Sequence, residues 1–304
     1  MKKTIPYLII HSKVLSAVSN NSPIVALETA VVTHGLPRPQ NLELAKALES
    51  MAISLDVTPA TIGIIKGIIH IGLTADELEF LANEENMRKI SRRDFSVAIS
   101  AALSGGTTVA GTLFAAQTAG LKVFATGGIG GVHRDSTFDM SADLPELARS
   151  PMIVVCSGAK AILDLPATLE ILETMGVPVI GYQTDEFPAF YSSHSGLPVD
   201  FQVESVNEIS NIYRSHLDLK MDSALLVVVP PPEDTSIPKE VLEIAIQTAV
   251  TESVSLNIRG ASLTPFLLRR VNELTHGDSL RSNLALLKKN VRVACEIAKA
   301  LKTN

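Results

Sequence analysis

A three-layer α/β/α fold with a central mixed sheet is predicted by three features of the 304-residue sequence. Short apolar runs bounded by Pro or Gly recur along it. Segments of helical apolar spacing separate them, and one pair of β-branched runs turns back on itself. Residues 23–28, "PIVALE", read as the first buried strand. Residues 41–55 carry Leu44, Ala47, Leu48 and Met51 at helical spacing. "TIGIIKGIIHIG", residues 61–72, reads as a hairpin turning near Lys66-Gly67. "TADE", residues 74–77, is a capping box for a helix through Leu81. "SRRD", residues 91–94, opens a helix that Gly105-Gly106 ends. A second helix runs from Thr108 to Ala119, with Gly120 past its end.

The second half continues the alternation. Strands are expected in "LKVFATGG" (121–128), at 152–158 and 177–183, and at 223–232 where prolines end the run. Helices are expected at 166–176, 205–217, 238–254, 265–275 and 279–302. Residues 230–238 are an ordinary loop rather than a linker, and no internal repeat is present, so one domain over residues 1–304 is expected.

Composition narrows the function. A hydrophobic fraction of 46 % and a mean hydropathy of +0.27 supply a sizeable core. With 4 % aromatics and no Trp, stacking platforms for nucleic acid are missing, and a net charge of −6 removes the drive toward phosphate backbones. Cys156 and Cys295 lie in apolar stretches and read as buried thiols of a reducing compartment. No apolar run reaches the length of a membrane span, and "YLII" at residues 7–10 is too short for a signal peptide. A soluble, cytoplasmic protein with no nucleic-acid or membrane partner is expected.

Several constellations can carry chemistry. Gly128 and Gly130 follow a strand, but His133 stands where a dinucleotide fingerprint needs its last glycine. The turn either ends a strand or sets backbone amides against an anion. Asp139 and Asp143 are hard oxygen donors suited to Mg²⁺ or Mn²⁺. Asp143 also suits an N-cap, with Pro145 in the first turn. Lys160 follows the apolar strand "MIVVCSG", where open α/β sheets place their sites. It is either a surface lysine at a helix start or a desolvated amine able to attack an electrophilic carbon. Glu28 ends "PIVALE" and is a general acid or base if burial raises its pKa. "KISRRD" gathers Lys89, Arg92 and Arg93, either a solvated basic turn or a phosphate contact.

In order along the chain, "ALETAVVTHGLPRPQN", "KISRRD", "TTVAGT", "FATGGIGGVHR", "TFDMSADLPEL", "SGAKAILDLPATLE", "GVPVIGYQT", "TPFLL" and "GDSLRSN" closely resemble the pseudouridine-5′-phosphate glycosidase, or indigoidine synthase A-like, family. The resemblance covers nearly the whole chain. It implies reversible cleavage of the C–C glycosidic bond of pseudouridine 5′-phosphate to uracil and ribose 5-phosphate through a lysine Schiff base. It implies one Mn²⁺ per subunit and a homotrimer. By motif, Lys160 is the nucleophile, Glu28 the proton donor and Asp139 the metal-binding residue. Substrate contacts fall on Lys89, on Thr108 and Val109, and on Ser141, Ala142 and Asp143, with His133 and Asn283 as further site members. The chain departs from the family pattern at Asp135-Ser136, where the segment is short, at Ala261-Ser262, and in "ALETA" beside Glu28. The alternatives are a Schiff-base lyase or N-glycosidase acting on a related sugar phosphate, and a non-catalytic sugar-phosphate-binding protein.

Overall fold

The computed structural model describes residues 6–134, 139–258 and 263–302. The segments at Asp135-Ser136 and Ala261-Ser262 lie outside the described residues. The first strands are β1 (Leu8–Ile10), β2 (Ile24–Leu27), β3 (Thr58–Ile65), β4 (Ile68–Ile71), β5 (Arg88–Ile90), β6 (Gly105–Thr107) and β7 (Val123–Ala125). They are followed by β8 (Val132–His133), β9 (Ile153–Cys156), β10 (Leu163–Asp164), β11 (Val179–Tyr182), β12 (Phe201–Val203) and β13 (Leu225–Val228). Between them run α1 (Ser12–Ser19), α2 (Gln40–Ser54), α3 (Ala75–Asn83), α4 (Phe95–Ser100), α5 (Val109–Thr118) and α6 (Asp143–Leu147). The later helices are α7 (Leu165–Thr174), α8 (Val206–Asp218), α9 (Lys239–Ser255), α10 (Leu263–Leu274) and α11 (Asp278–Ala300).

Among the described residues, 11 strands form one sheet whose main path is β1-β4-β3-β2-β7-β9-β13-β11-β12, with β6 paired to β3 and β5 to β6. From β3 through β12 along that path the pairing is parallel. β4 and β6 run antiparallel to β3, which makes the sheet mixed as expected. Every residue of β9 and β13 is closed to solvent, so neither face of the central sheet is open. α11 lies across β2, β7 and β9, with α2, α8 and α10 beside it. α5 packs on β2, β3, β4 and β6 and carries α6. Cys156 and Cys295 are buried free thiols, and no described helix is long and apolar enough to cross a membrane.

Local chemistry explains the elements that were legible. The hairpin turns at Lys66 and Gly67, whose φ values of 47° and 77° match the left-handed turn that tight hairpins use. α3 starts at the expected capping box: the Thr74 hydroxyl accepts from Glu77 N, and the Glu77 carboxylate accepts from Thr74 N. "SRRD" opens a helix as expected, with Ser91 as N-cap and a 3-10 turn over Arg92–Asp94 running into α4, but the helix stops at Ser100. Gly105-Gly106 does not end that helix; it begins β6, squeezed between β3 and β5. A Cβ on Gly105 would sit 2.0 Å from the Arg88 carbonyl oxygen, so close strand approach rather than helix termination requires glycine there.

Arg92 is likewise structural. Its guanidinium lies 4.6 Å over the Phe114 ring and bonds Glu146 at 2.6 Å, while Arg149 holds the other oxygen of the same carboxylate at 2.6 Å. Glu146 is completely buried, so two arginines compensate its desolvation. Removing one leaves the charge half-satisfied. Arg92→Met is therefore expected to cost about 2 kcal/mol, read as a lower urea midpoint at an unchanged m-value. An unchanged midpoint would remove Arg92 from the set of stabilising contacts.

Candidate active site

Three neighbouring parallel strands, β2, β7 and β9, end on the same edge of the sheet. Glu28 follows β2, Thr126 to Gly128 follow β7, and Ser157 to Lys160 follow β9. Beyond the strands the last two segments stay paired. Thr126 N donates to Val155 O at 3.0 Å, Ser157 N to Gly127 O at 2.9 Å, Ile129 N to Gly158 O at 3.0 Å and Lys160 N to Ile129 O at 3.0 Å. This carries the glycine turn and the lysine out of the sheet together. Lys160 is therefore not at a helix start, since α7 begins only at Leu165 after β10. Its half-buried Nζ donates to the Gly128 carbonyl at 3.0 Å.

Asp143 supplies a second correction. It does not cap its own helix, whose N-cap is Ala142. Its carboxylate is buried and reaches sideways: Oδ1 accepts from Ala110 N at 2.8 Å and Oδ2 from Gly130 N at 2.8 Å. One side chain thus caps the first turn of α5 and pins the glycine turn. Gly130 must be glycine, because a Cβ there would lie 2.2 Å from the Ser141 hydroxyl. Thr108 is the N-cap of α5, accepting from Gly111 N at 3.2 Å, and Val109 beside it is buried. Ser141 is half-buried and Ala142 exposed on the same rim.

The charged groups form one electrostatic cluster. Glu28 accepts a hydrogen bond from the Thr126 hydroxyl. Burial raises its carboxyl pKa above the usual value, with Asp143 adding to the rise while Lys160, Thr126 and Lys89 oppose it. Lys89 enters from β5 with part of its side chain open to solvent; burial lowers its pKa, as does Lys160, against the pull of Asp143 and Glu28. His133 sits between Asp139 and the two lysines, and its pKa is lowered, first by burial and then by Lys89 and Lys160, with Asp139 opposing. Its backbone N donates to Asp139 O at 2.9 Å. Of the "KISRRD" cations, Lys89 belongs to this cluster, Arg92 to the Glu146 pair, and Arg93 points to solvent. Asn283 is buried on α11, one turn before Leu287, which packs against Gly127.

Among the described residues no three His, Cys, Asp or Glu side chains are grouped to hold a metal ion. Asp139 is exposed beside His133 and offers a single hard carboxylate. That donor set suits only a divalent ion that keeps several of its waters.

Two participants escaped the sequence reading. Thr126 stands inside "FATGG", where the glycines drew the attention; its signal is a hydroxyl at a strand end, one strand over from Glu28. His34 lies in a π-helical turn, Val31–Gly35, with Nδ1 2.7 Å from the Thr33 hydroxyl, and Lys89 helps lower its pKa after burial.

Comparison with known proteins places this geometry. The family described as indigoidine synthase A like protein matches residues 13–300. A protein of Dinoroseobacter shibae named pseudouridine-5′-phosphate glycosidase is 50 % identical over 96 % of both chains. One of the same name from Caldanaerobacter subterraneus subsp. tengcongensis is 48 % identical over 96 % of both. Among solved structures, an indigoidine synthase A-like protein from Thermotoga maritima superposes with a TM-score of 0.91 at 37 % identity, covering 99 % of each chain. The prealnumycin C-glycosynthase AlnA, solved with ribulose 5-phosphate, also reaches a TM-score of 0.91, at 34 % identity over 98 % of each chain.

The raised pKa of Glu28 has a stability consequence. Below about pH 4.5, the ordinary value, the carboxyl is protonated folded and unfolded alike. As pH rises from there through the higher folded pKa, the unfolded chain loses its proton first, and wild-type stability falls. Glu28→Gln keeps an acceptor for Thr126 and cannot ionise. Its thermal midpoint should match wild type near pH 4 and exceed it increasingly toward pH 8. A gap that is constant across that range would show that burial does not raise this carboxyl.

Proposed function

Because the chain belongs to the indigoidine synthase A-like family, we propose that it is a pseudouridine-5′-phosphate glycosidase, reversibly cleaving the C–C glycosidic bond to give uracil and ribose 5-phosphate. The observation that carries the reading is the meeting of Glu28, Lys160, Lys89 and Asp143 in one cluster at the strand ends. A carboxyl whose pKa burial raises is suited to give a proton to the ribose ring oxygen. The C1′–O4′ bond then opens with its electron pair on oxygen, leaving C1′ electrophilic. Lys160, giving up a proton, adds its nitrogen lone pair to C1′. Its lone pair expels the uracil carbon, which takes up a proton, as the iminium forms, and water releases ribose 5-phosphate. Bond formation in the reverse direction uses the same groups.

Phosphate recognition falls to Lys89, with the Thr108 hydroxyl and the Val109 amide at the start of α5, where the helix dipole favours an anion. Ser141, Ala142 and Asp143 line the rim, and His133, whose pKa burial lowers, offers a ring nitrogen to a sugar hydroxyl. Asn283 completes the site from α11. Asp139 would hold Mn²⁺, which when bound would supply positive charge to the site. A homotrimer is supported by the exposed apolar side chains Val241, Ile244 and Val254 on α9. A cytoplasmic location is supported by two buried free thiols.

Turnover of pseudouridine 5′-phosphate should release uracil, while uridine 5′-phosphate should not. Borohydride added during reaction with ribose 5-phosphate is expected to reduce an imine on the peptide bearing Lys160. Lys160→Ala and Lys160→Arg should both lose trapping and turnover, since a guanidinium keeps its proton. An adduct mapping to Lys89, or normal turnover by Lys160→Arg, would end the Schiff-base assignment.

Chelation is expected to remove most activity and added Mn²⁺ to restore it, with Asp139→Ala behaving like the chelated enzyme. Full turnover in a metal-free sample would take the ion out of the reaction.

A further inference from the structure

Behind the cluster lies a completely buried amide that the chemistry above does not use. Asn290, on α11, is closed to solvent. Its Nδ2 donates to Thr126 O at 2.9 Å and approaches Gly127 O at 3.4 Å. It also meets the Ser157 hydroxyl, Nδ2 to Oγ at 3.1 Å and Oγ to Oδ1 at 3.2 Å. Ser157 is itself fully buried.

The geometry has a cause in the sheet. Within the ladder, β7 exchanges hydrogen bonds with β9 on one side and β2 on the other. Past Ala125 the β9 side persists, with Thr126 N bonded to Val155 O. The next donor on that side, Ser157 N, passes over Thr126 and bonds Gly127 O at 2.9 Å, so no strand donor meets the Thr126 carbonyl. A buried carbonyl without a donor is costly, and the Asn290 amide supplies the donor. The same peptide bears the side chain that donates to Glu28. On its other side Asn290 holds Ser157, from which the paired backbone runs to Lys160.

We propose that Asn290 is a positioning residue for the reaction: by joining the Thr126 carbonyl to the Ser157 hydroxyl it fixes the Thr126 side chain on the acid Glu28 and sets the spacing between that acid and the amine of Lys160. The roles of acid and amine rest on the functional reading above; the hydrogen-bond chain does not. An apolar residue of the same shape fills the space but leaves the carbonyl without a donor. The Thr126 peptide then rotates, and its hydroxyl leaves Glu28.

The test has one arm independent of turnover. With ¹³C-carboxyl glutamate, and Glu28→Gln to identify the resonance, NMR follows the Glu28 titration midpoint in the full-length protein. Thr126→Val should raise the midpoint, because a hydrogen bond favouring the charged form is gone. Asn290→Leu should raise it in the same direction, and the double variant should add little to either single change. Where the leucine variant does not fold, Asn290→Ala, whose space admits a water, makes the same comparison with a smaller rise. If Thr126→Val raises the midpoint while the Asn290 variants titrate as wild type, the proposal is overturned. The kinetic arm uses pseudouridine 5′-phosphate. Asn290→Leu should lower kcat about tenfold or more, as a displaced reacting group does, with KM within about twofold because phosphate contacts lie on β5 and α5. A raised KM with unchanged kcat would also overturn it. A wild-type chain that releases no uracil would refute the functional reading while leaving the NMR comparison intact.

Discussion

Backbone groups at the carboxyl ends of buried parallel strands lose their ladder partners while still inside the protein, and each must find another. Much of the site is the set of answers to that constraint. The Thr126 carbonyl takes the amide of Asn290. The Gly128 carbonyl takes the Lys160 Nζ, and the Gly130 amide takes the Asp143 carboxylate. On the β3 side, the carbonyl of Ile62 accepts from both Thr29 and Thr107, next to Glu28 and Thr108 in sequence. Polar side chains that satisfy backbone groups thereby stand where a substrate would enter, and the scaffold that needs them also orients them.

The two carboxylates of the cluster show how surroundings separate roles. Both oxygens of Asp143 are held by backbone N–H groups of different segments, so its use is to join the glycine turn to α5. Glu28 receives one hydroxyl and, among the described residues, no backbone N–H, and burial raises its pKa even against the pull of Lys160 and Lys89. Two lysines balance the pair, and their mutual repulsion helps lower the pKa of Lys89. A cluster of alternating sign in a partly dry cleft is suited to a reaction in which a proton, an amine and a phosphate dianion must be handled within one small space.

Length and pattern were enough for the α/β/α layering, because fully buried strands and amphipathic helices differ in period within a few residues of sequence. "PIVALE", the Lys66-Gly67 hairpin and the Thr74–Glu77 capping box all carry their causes locally, and all stand where expected. The candidates Glu28 and Lys160 were legible because a charged residue beside an apolar strand is conspicuous, and Lys89 because it stands in the basic cluster "KISRRD". Gly105-Gly106 misled, since a glycine pair that ends a helix and one that lets strands press together look alike until the neighbours are known.

Which residue types sit at strand ends, and which strands are buried, are both properties of short windows and can be read from the chain. Tertiary structure alone decided which of them meet. Asp143 caps a helix, but a helix that starts 34 residues earlier, at Val109. Thr126 reaches Glu28 across 98 positions and Asn290 reaches Thr126 across 164. Such pairings follow from strand order and from the path of α11 over β2, β7 and β9. A hydrogen bond needs its partners within about 3 Å, and chain separation says nothing about that distance until the sheet has folded.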